Sequence, residues 1–173
     1  MSALAIGHWF TLPHPDAKDT RLAAGVRVLA GDGDGWAMVH VLYTECRCSQ
    51  RILDHLLASD RPAGVRETVL LVGDDTGVGA KLRARGFRIV AAAGEELATR
   101  YGIEGVPLLV VADPAGAVRY SGGYTQRKQG PDIQDLAILR ELQADGAAAA
   151  LPVFGCAISR RLQEIADPLA IKR

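Results

Sequence analysis

An eight-residue apolar run, W-A-M-V-H-V-L-Y (36–43), leads into the segment C-R-C-S (46–49). No other feature restricts the fold as much. A short apolar run of this kind reads as a buried strand. The residues that follow, 47–58, place Ile52, Leu53, Leu56 and Leu57 on one side of a helix. Two thiols therefore sit where a buried strand hands over to a helix.

The alternation continues along the chain. E-T-V-L-L-V-G (67–73) reads as a second strand. A short helix around 77–85 stops at Gly86, and F-R-I-V-A (87–91) forms a third strand. Glu95 to Tyr101 suggests another helical turn or two. V-P-L-L-V-V-A (106–112) and A-V-R-Y-S (117–121) flank D-P-A-G, a hairpin turn signal. Pro131 and Asp132 open a helix through Gln143, with Ile133, Leu136, Leu139 and Leu142 near helical spacing. Alternating elements imply an α/β fold with a central sheet and helices on both faces.

Residues 1–35 read as an N-terminal arm, because Pro13, Pro15 and G-D-G-D-G (31–35) interrupt any long element. The glycine–aspartate run lacks the third acidic position and closing Glu of a calcium loop, so it reads as a turn. The central domain spans 36–145. Residues 146–173 form a C-terminal extension that carries Cys156, read as a turn and a short amphipathic helix with Ile158, Leu162 and Ile165 on one face.

Twenty basic residues balance twenty acidic ones, which argues against a general nucleic-acid binder. No stretch is long and apolar enough to span a bilayer. The segment A-L-A-I-G-H-W-F (3–10) is apolar but short and lacks a basic leader. It fits the stump of a removed signal or membrane anchor, or a first strand or arm. G-D-D-T-G-V-G-A-K (73–81) lacks the G-K-[ST] ending of a phosphate loop, and Asp74 and Asp75 read as a strand end and helix cap. Three cysteines are too few for a disulfide scaffold, and two of them two residues apart point to redox or metal chemistry.

Two segments resemble the thioredoxin-like superfamily. M-V-H-V-L-Y-T-E-C-R-C-S-Q (38–50) is similar to its strand, active-site turn and helix start. Y-G-I-E-G-V-P-L-L-V-V-A-D-P-A-G-A-V-R-Y-S-G-G (101–123) is similar to its cis-proline stretch and final hairpin. The resemblance covers about residues 36–143, and the extra strand and helix at 67–85 resemble extracytoplasmic thiol–disulfide oxidoreductases of the cytochrome c maturation type. It implies a thioredoxin-like central mixed sheet with flanking helices. It places Cys46 on the nucleophilic cysteine, Ser49 where a second cysteine normally stands, and Pro107 on the cis-proline. By the same resemblance, Val106 and Pro107 would lie beside Cys46 and leave backbone groups at residue 106 open to a substrate strand. A periplasmic or outward-facing membrane-associated location follows from the same members.

A thiolate attacks disulfides and a thiol does not. At a helix start, free N–H groups and the helix dipole favour the anion, so Cys46 is the candidate nucleophile, with Arg47 adding positive charge nearby. Cys48 can close a C-x-C disulfide with Cys46, serve as a metal co-ligand, or be a passive small residue. Ser49 has no sulfur, but its hydroxyl can donate to the Cys46 thiolate or cap the helix. His40, six residues before Cys46, can relay protons or be a core histidine. His55 reads as solvated or capping, and His8 and His14 carry little information. Cys156 can replace the missing resolving cysteine if the tail folds back, or be an apolar contact in a docking tail. Proximity favours Cys48 over Cys156 as the resolving sulfur.

Three functions fit. The first is a thiol–disulfide oxidoreductase that acts through Cys46 on a protein or small-molecule disulfide. It needs no cofactor, because electrons travel as thiol pairs. The second is a metal-binding module in which Cys46, Cys48, Cys156 and a histidine hold copper, zinc or an iron–sulfur centre. The third is a binding domain that kept the fold and lost the cycle.

Overall fold

The computed structural model describes residues 11–166. The apolar segment 3–10, His8 and the end of the expected tail at 167–169 lie outside the described residues. Strands β1 (Ala37–Tyr43), β2 (Arg66–Val72), β3 (Arg88–Ala92), β5 (Leu108–Ala112) and β6 (Val118–Gly122) form one mixed sheet in the order β3-β2-β1-β5-β6. β1 pairs in parallel with β2, and β2 with β3. β5 runs antiparallel to β1 and β6. Two short strands, β4 (Gly105–Val106) and β7 (Cys156–Ala157), pair separately and antiparallel.

Helices cover both faces. α2 (Arg47–Ala58), α3 (Val78–Ala84) and α5 (Asp135–Asp145) pack Ile52, Leu56, Leu82, Ile138 and Leu142 against Met38, Leu42 and Leu109 of the sheet. α1 (Thr20–Leu29) and α4 (Gly94–Tyr101) pack Leu22, Val26, Leu97 and Tyr101 against Val39, Val41 and Val110 on the other face. Successive residues of β1 feed opposite cores, which explains its nearly unbroken apolar run.

Three expectations are corrected. The stretch 1–35 is not simply an arm, because Thr20–Leu29 is a helix that buries Leu22, Val26 and Leu29. Asp19 caps it by accepting from the Arg21 N–H at 2.8 Å. The prolines and glycines bound this helix from either side and interrupt nothing within it. The α5 helix begins at Asp135, not Pro131, because the Gln134 N–H is held by Tyr124 O and Asp135 is tied into a buried ion network. Beyond Gly146, Cys156 lies in β7, and α6 (Arg160–Ala166) starts four residues later, so the thiol does not sit at that helix's N-terminus. Ile158 and Leu162 are buried, but Ile165 is 64 % exposed and belongs to no packed face.

Candidate active site

The β1 strand ends at Tyr43, and the turn after it is closed by the Cys46 N–H donating to Tyr43 O at 3.0 Å. Cys46 has extended backbone (φ −91°, ψ 117°) and is the N-cap of α2, its carbonyl accepting from the Gln50 N–H at 2.9 Å. Its side chain points away from solvent, and the residue is fully buried. Arg47, next in line, is exposed.

The Cys46 sulfur is bonded to that of Cys156, with Cα atoms 6.0 Å apart and a sequence separation of 110. Cys48 is a half-buried free thiol. This corrects the expectation that proximity would pair Cys48 with Cys46. A C-x-C ring departs from relaxed disulfide geometry. Here the chain instead carries Cys156 into register opposite Val106, which brings it beside Cys46 without that small ring.

The Val106–Pro107 peptide bond is cis. Val106 is fully buried, and its strand edge is occupied by β7, so the backbone at residue 106 is not open to an incoming strand as the resemblance implied. The chain itself fills that place. Ser49 is also buried, but its Oγ has no hydrogen-bond partner, so it neither caps α2 nor bonds the Cys46 sulfur.

His40 lies fully buried on β1, on the face covered by α2 and α5. Its Nε2 is 3.1 Å from Glu67 Oε2 and its Nδ1 is 2.8 Å from the Tyr124 hydroxyl. A carboxylate only accepts, so Nε2–H donates to Glu67, while the Tyr124 hydroxyl lies between Nδ1 and Leu108 O, 3.5 Å from the latter. The chain of charges continues outward from His40. Arg61 Nε donates to Glu67 Oε1 at 3.0 Å and Nη1 to Asp135 Oδ2 at 2.9 Å. His55 Nε2 donates to Asp135 Oδ1 at 2.9 Å, so His55 is neither simply solvated nor a cap.

Burial pushes the Asp135 carboxyl up, but the His55 hydrogen bond and the Arg61 charge outweigh it and hold the group down at about 2. Burial also pushes Glu67 up, and its bonds from His40 and Arg61 win, leaving it below the usual range. Burial lowers Arg61, and its two carboxylate partners raise it above the ordinary value. Burial, with Asp135 nearby, lifts Tyr124 well above 10.

Sequence reasoning missed Glu67, Arg61, Asp135 and Tyr124. Part of the signal was present. Glu67 opens an otherwise apolar strand run, and in the observed register it stands beside Met38, on the same sheet face as His40. Tyr124 also lines a crevice with Cys48, Arg51, Pro107, Pro152 and Phe154.

Among the described residues, no group of three His, Cys, Asp or Glu side chains is placed to hold a metal ion. No helix among them is long and apolar enough to cross a membrane.

No protein-family model matches the sequence, and no curated protein matches it. Solved structures do. A hypothetical protein from Sinorhizobium meliloti 1021 is 21 % identical with a TM-score of 0.57, over 72 % of this chain and 79 % of that one. An uncharacterized conserved protein from Geobacillus kaustophilus is 16 % identical with a TM-score of 0.57, over 73 % of this chain and 77 % of that one. A thioredoxin-like superfamily protein is 16 % identical with a TM-score of 0.41, over 81 % of this chain and 98 % of that one. At these identities the likeness to the first two bears on the fold alone. With its mixed sheet ordered β3-β2-β1-β5-β6, helices on both faces and Cys46 at the start of the helix that follows the central strand, the chain has a thioredoxin-like fold.

Proposed function

We propose that the protein is a thiol–disulfide oxidoreductase acting through the Cys46–Cys156 pair. The carrying observation is the bond between these two sulfurs at the N-terminus of α2. Helix-start N–H groups favour a thiolate there, so Cys46 is a good leaving group from the disulfide and, once reduced, is poised to re-form the bond to Cys156. In one cycle a partner dithiol gives two electrons to the Cys46–Cys156 disulfide, which becomes two thiols while the partner becomes a disulfide. Run in reverse, the same exchange reduces a partner disulfide. No cofactor enters the cycle.

The partner in this reading is a protein thiol or disulfide. The protein works in an oxidising compartment, the periplasm or the outer face of a membrane, where such a bond persists. Cys48 is outside the redox pair, and His40, bonded to Glu67 and Tyr124, lies buried behind the crevice at Cys48.

The test is turnover of a protein disulfide with a chemical dithiol as electron donor. Wild type is expected to turn over, and Cys46→Ser and Cys156→Ser are expected to stop. Unchanged turnover in both variants would discard the reading. A tightly bound copper, zinc or iron–sulfur centre in the purified protein, with all three thiols reduced, would replace it with the metal-binding alternative.

A further inference from the structure

The segment that carries Cys156 is held on both sides. Before it, the Gly123 N–H donates to Leu151 O and the Leu12 N–H to Val153 O, each at 2.8 Å, and Val153 is fully buried. After it, the Ile158 N–H donates to Glu104 O at 2.8 Å, Ser159 Oγ bonds Glu104 Oε1 at 2.8 Å, and Ile158 is buried. Between these anchors, Phe154, Cys156 and Ala157 are half-buried and Gly155 is exposed. The anchored strap lies over the edge of β4, with Cys156 opposite Val106. A side chain at Gly155 would overlap Val106 O and Pro107 Cδ, so the strap rests directly on the backbone.

The two bonded sulfurs are therefore not equivalent. Cys46 has no exposed surface, whereas Cys156 retains part of its own. Attack on a disulfide requires access to one sulfur and a good leaving group at the other. Access lies on the Cys156 side. The helix start that stabilises a departing thiolate lies on the Cys46 side. Both requirements favour the same direction of attack.

We propose that Cys156, not Cys46, is the sulfur that exchanges with the partner, and that Cys46 is the buried sulfur that closes the cycle. The proposal rests on the oxidoreductase reading above and specifies its order of events. A thiolate of the partner dithiol attacks Cys156 Sγ. The partner–Cys156 bond forms, the Cys46–Cys156 bond breaks, and Cys46 leaves as a thiolate. The partner's second thiol, as thiolate, then attacks its own bonded sulfur and releases the Cys156 thiolate. The partner ends as a disulfide and the protein as two thiols. In reverse, Cys156 attacks a partner disulfide, and Cys46 displaces the partner from Cys156. Because the strap already covers β4, the partner meets Cys156 from solvent and does not add a strand at Val106.

Two measurements test this. Oxidised wild type is treated with excess glutathione, quenched in acid, and the adduct is mapped by peptide mass spectrometry. The adduct is expected on Cys156, and an adduct on Cys46 or Cys48 overturns the assignment. Separately, the reduced double variants Cys46→Ser/Cys48→Ser and Cys156→Ser/Cys48→Ser are mixed with an aromatic disulfide reporter. The first, which leaves Cys156, is expected to react at least tenfold faster than the second, and the opposite order or equal rates overturns the proposal. If no adduct forms in wild type and both variants react no faster than an unfolded cysteine peptide, the oxidoreductase reading itself falls. A glutathione adduct on Cys46 together with a faster Cys46 thiol leaves that reading standing and removes only the order proposed here.

Discussion

Cys46 is joined to Cys156 across 110 residues of chain, while the nearer Cys48 remains a free thiol. The bond closes a loop that contains β2 to β6, so it restricts the unfolded chain far more than a C-x-C ring would. Loop-closure entropy of that length is worth as much as about 5 kcal/mol. Reduction with a dithiol at neutral pH is expected to lower the denaturant midpoint of wild type. Cys48→Ser should show the same drop, and Cys156→Ser should show none. A midpoint unaffected by reductant in wild type would mean that the bond contributes nothing to stability.

Catalytic turnover separates the two candidates for the partner of Cys46. Cys48→Ser is expected to turn over a disulfide substrate within about threefold of wild type. Cys156→Ser is expected to lose at least about a hundredfold, because it removes one of two sulfurs that the fold holds together at a high effective concentration. The measurement is steady-state substrate reduction with a dithiol donor. Loss in Cys48→Ser with retention in Cys156→Ser would return the role to the C-x-C pair.

Asp135 gives a pH-dependent prediction. Its carboxyl is held at about 2 in the fold, against an ordinary value of 3.8, after burial is outweighed by His55 and Arg61. A carboxyl depressed on folding stabilises the fold above its unfolded value, and that stabilisation is lost as pH falls from 3.8 toward about 2. The shift corresponds to about 2 kcal/mol. Asp135→Asn is expected to be less stable than wild type by about that much at pH 7, with the gap shrinking as pH falls through this window. Urea unfolding of both proteins at a series of pH values checks it, and a gap independent of pH would show that the charge is not the source.

The fold was legible because its signals were local. The β1 run, the amphipathic α2 and the D-P-A-G hairpin each lie within a short window, and each is where periodicity or turn chemistry places it. α1 was hidden by punctuation, since Pro13, Pro15 and the glycine–aspartate run crowd a ten-residue helix from both sides. The site was legible only where it is local too. Cys46 at a strand-to-helix turn is a sequence pattern. The pairing of Cys156 depends on β7 meeting β4, a contact between segments some fifty residues apart that no spacing encodes. The Arg61, Glu67 and Asp135 cluster is likewise assembled from three separate stretches, and its members look like ordinary surface charges in sequence.

Gly155 tests whether the strap positions Cys156. Any Cβ there would overlap Val106 O and Pro107 Cδ, so Gly155→Ala must push the strap off β4 or shift the backbone beneath it. Overpacking of this kind costs about 1–3 kcal/mol. Displacing the strap also lowers the effective concentration of Cys156 at Cys46. Two measurable changes follow. The oxidised form of Gly155→Ala is expected to unfold more readily than oxidised wild type. Its Cys46–Cys156 bond is expected to be reduced at a lower ratio of reduced to oxidised glutathione, because the folded protein holds the two thiols together less well. With both proteins fully reduced the stability difference should narrow, since a free strap can move away from the clash. A Gly155→Ala protein with wild-type stability and wild-type redox equilibrium would show that the contact between Gly155 and Val106 has no part in holding the sulfurs together.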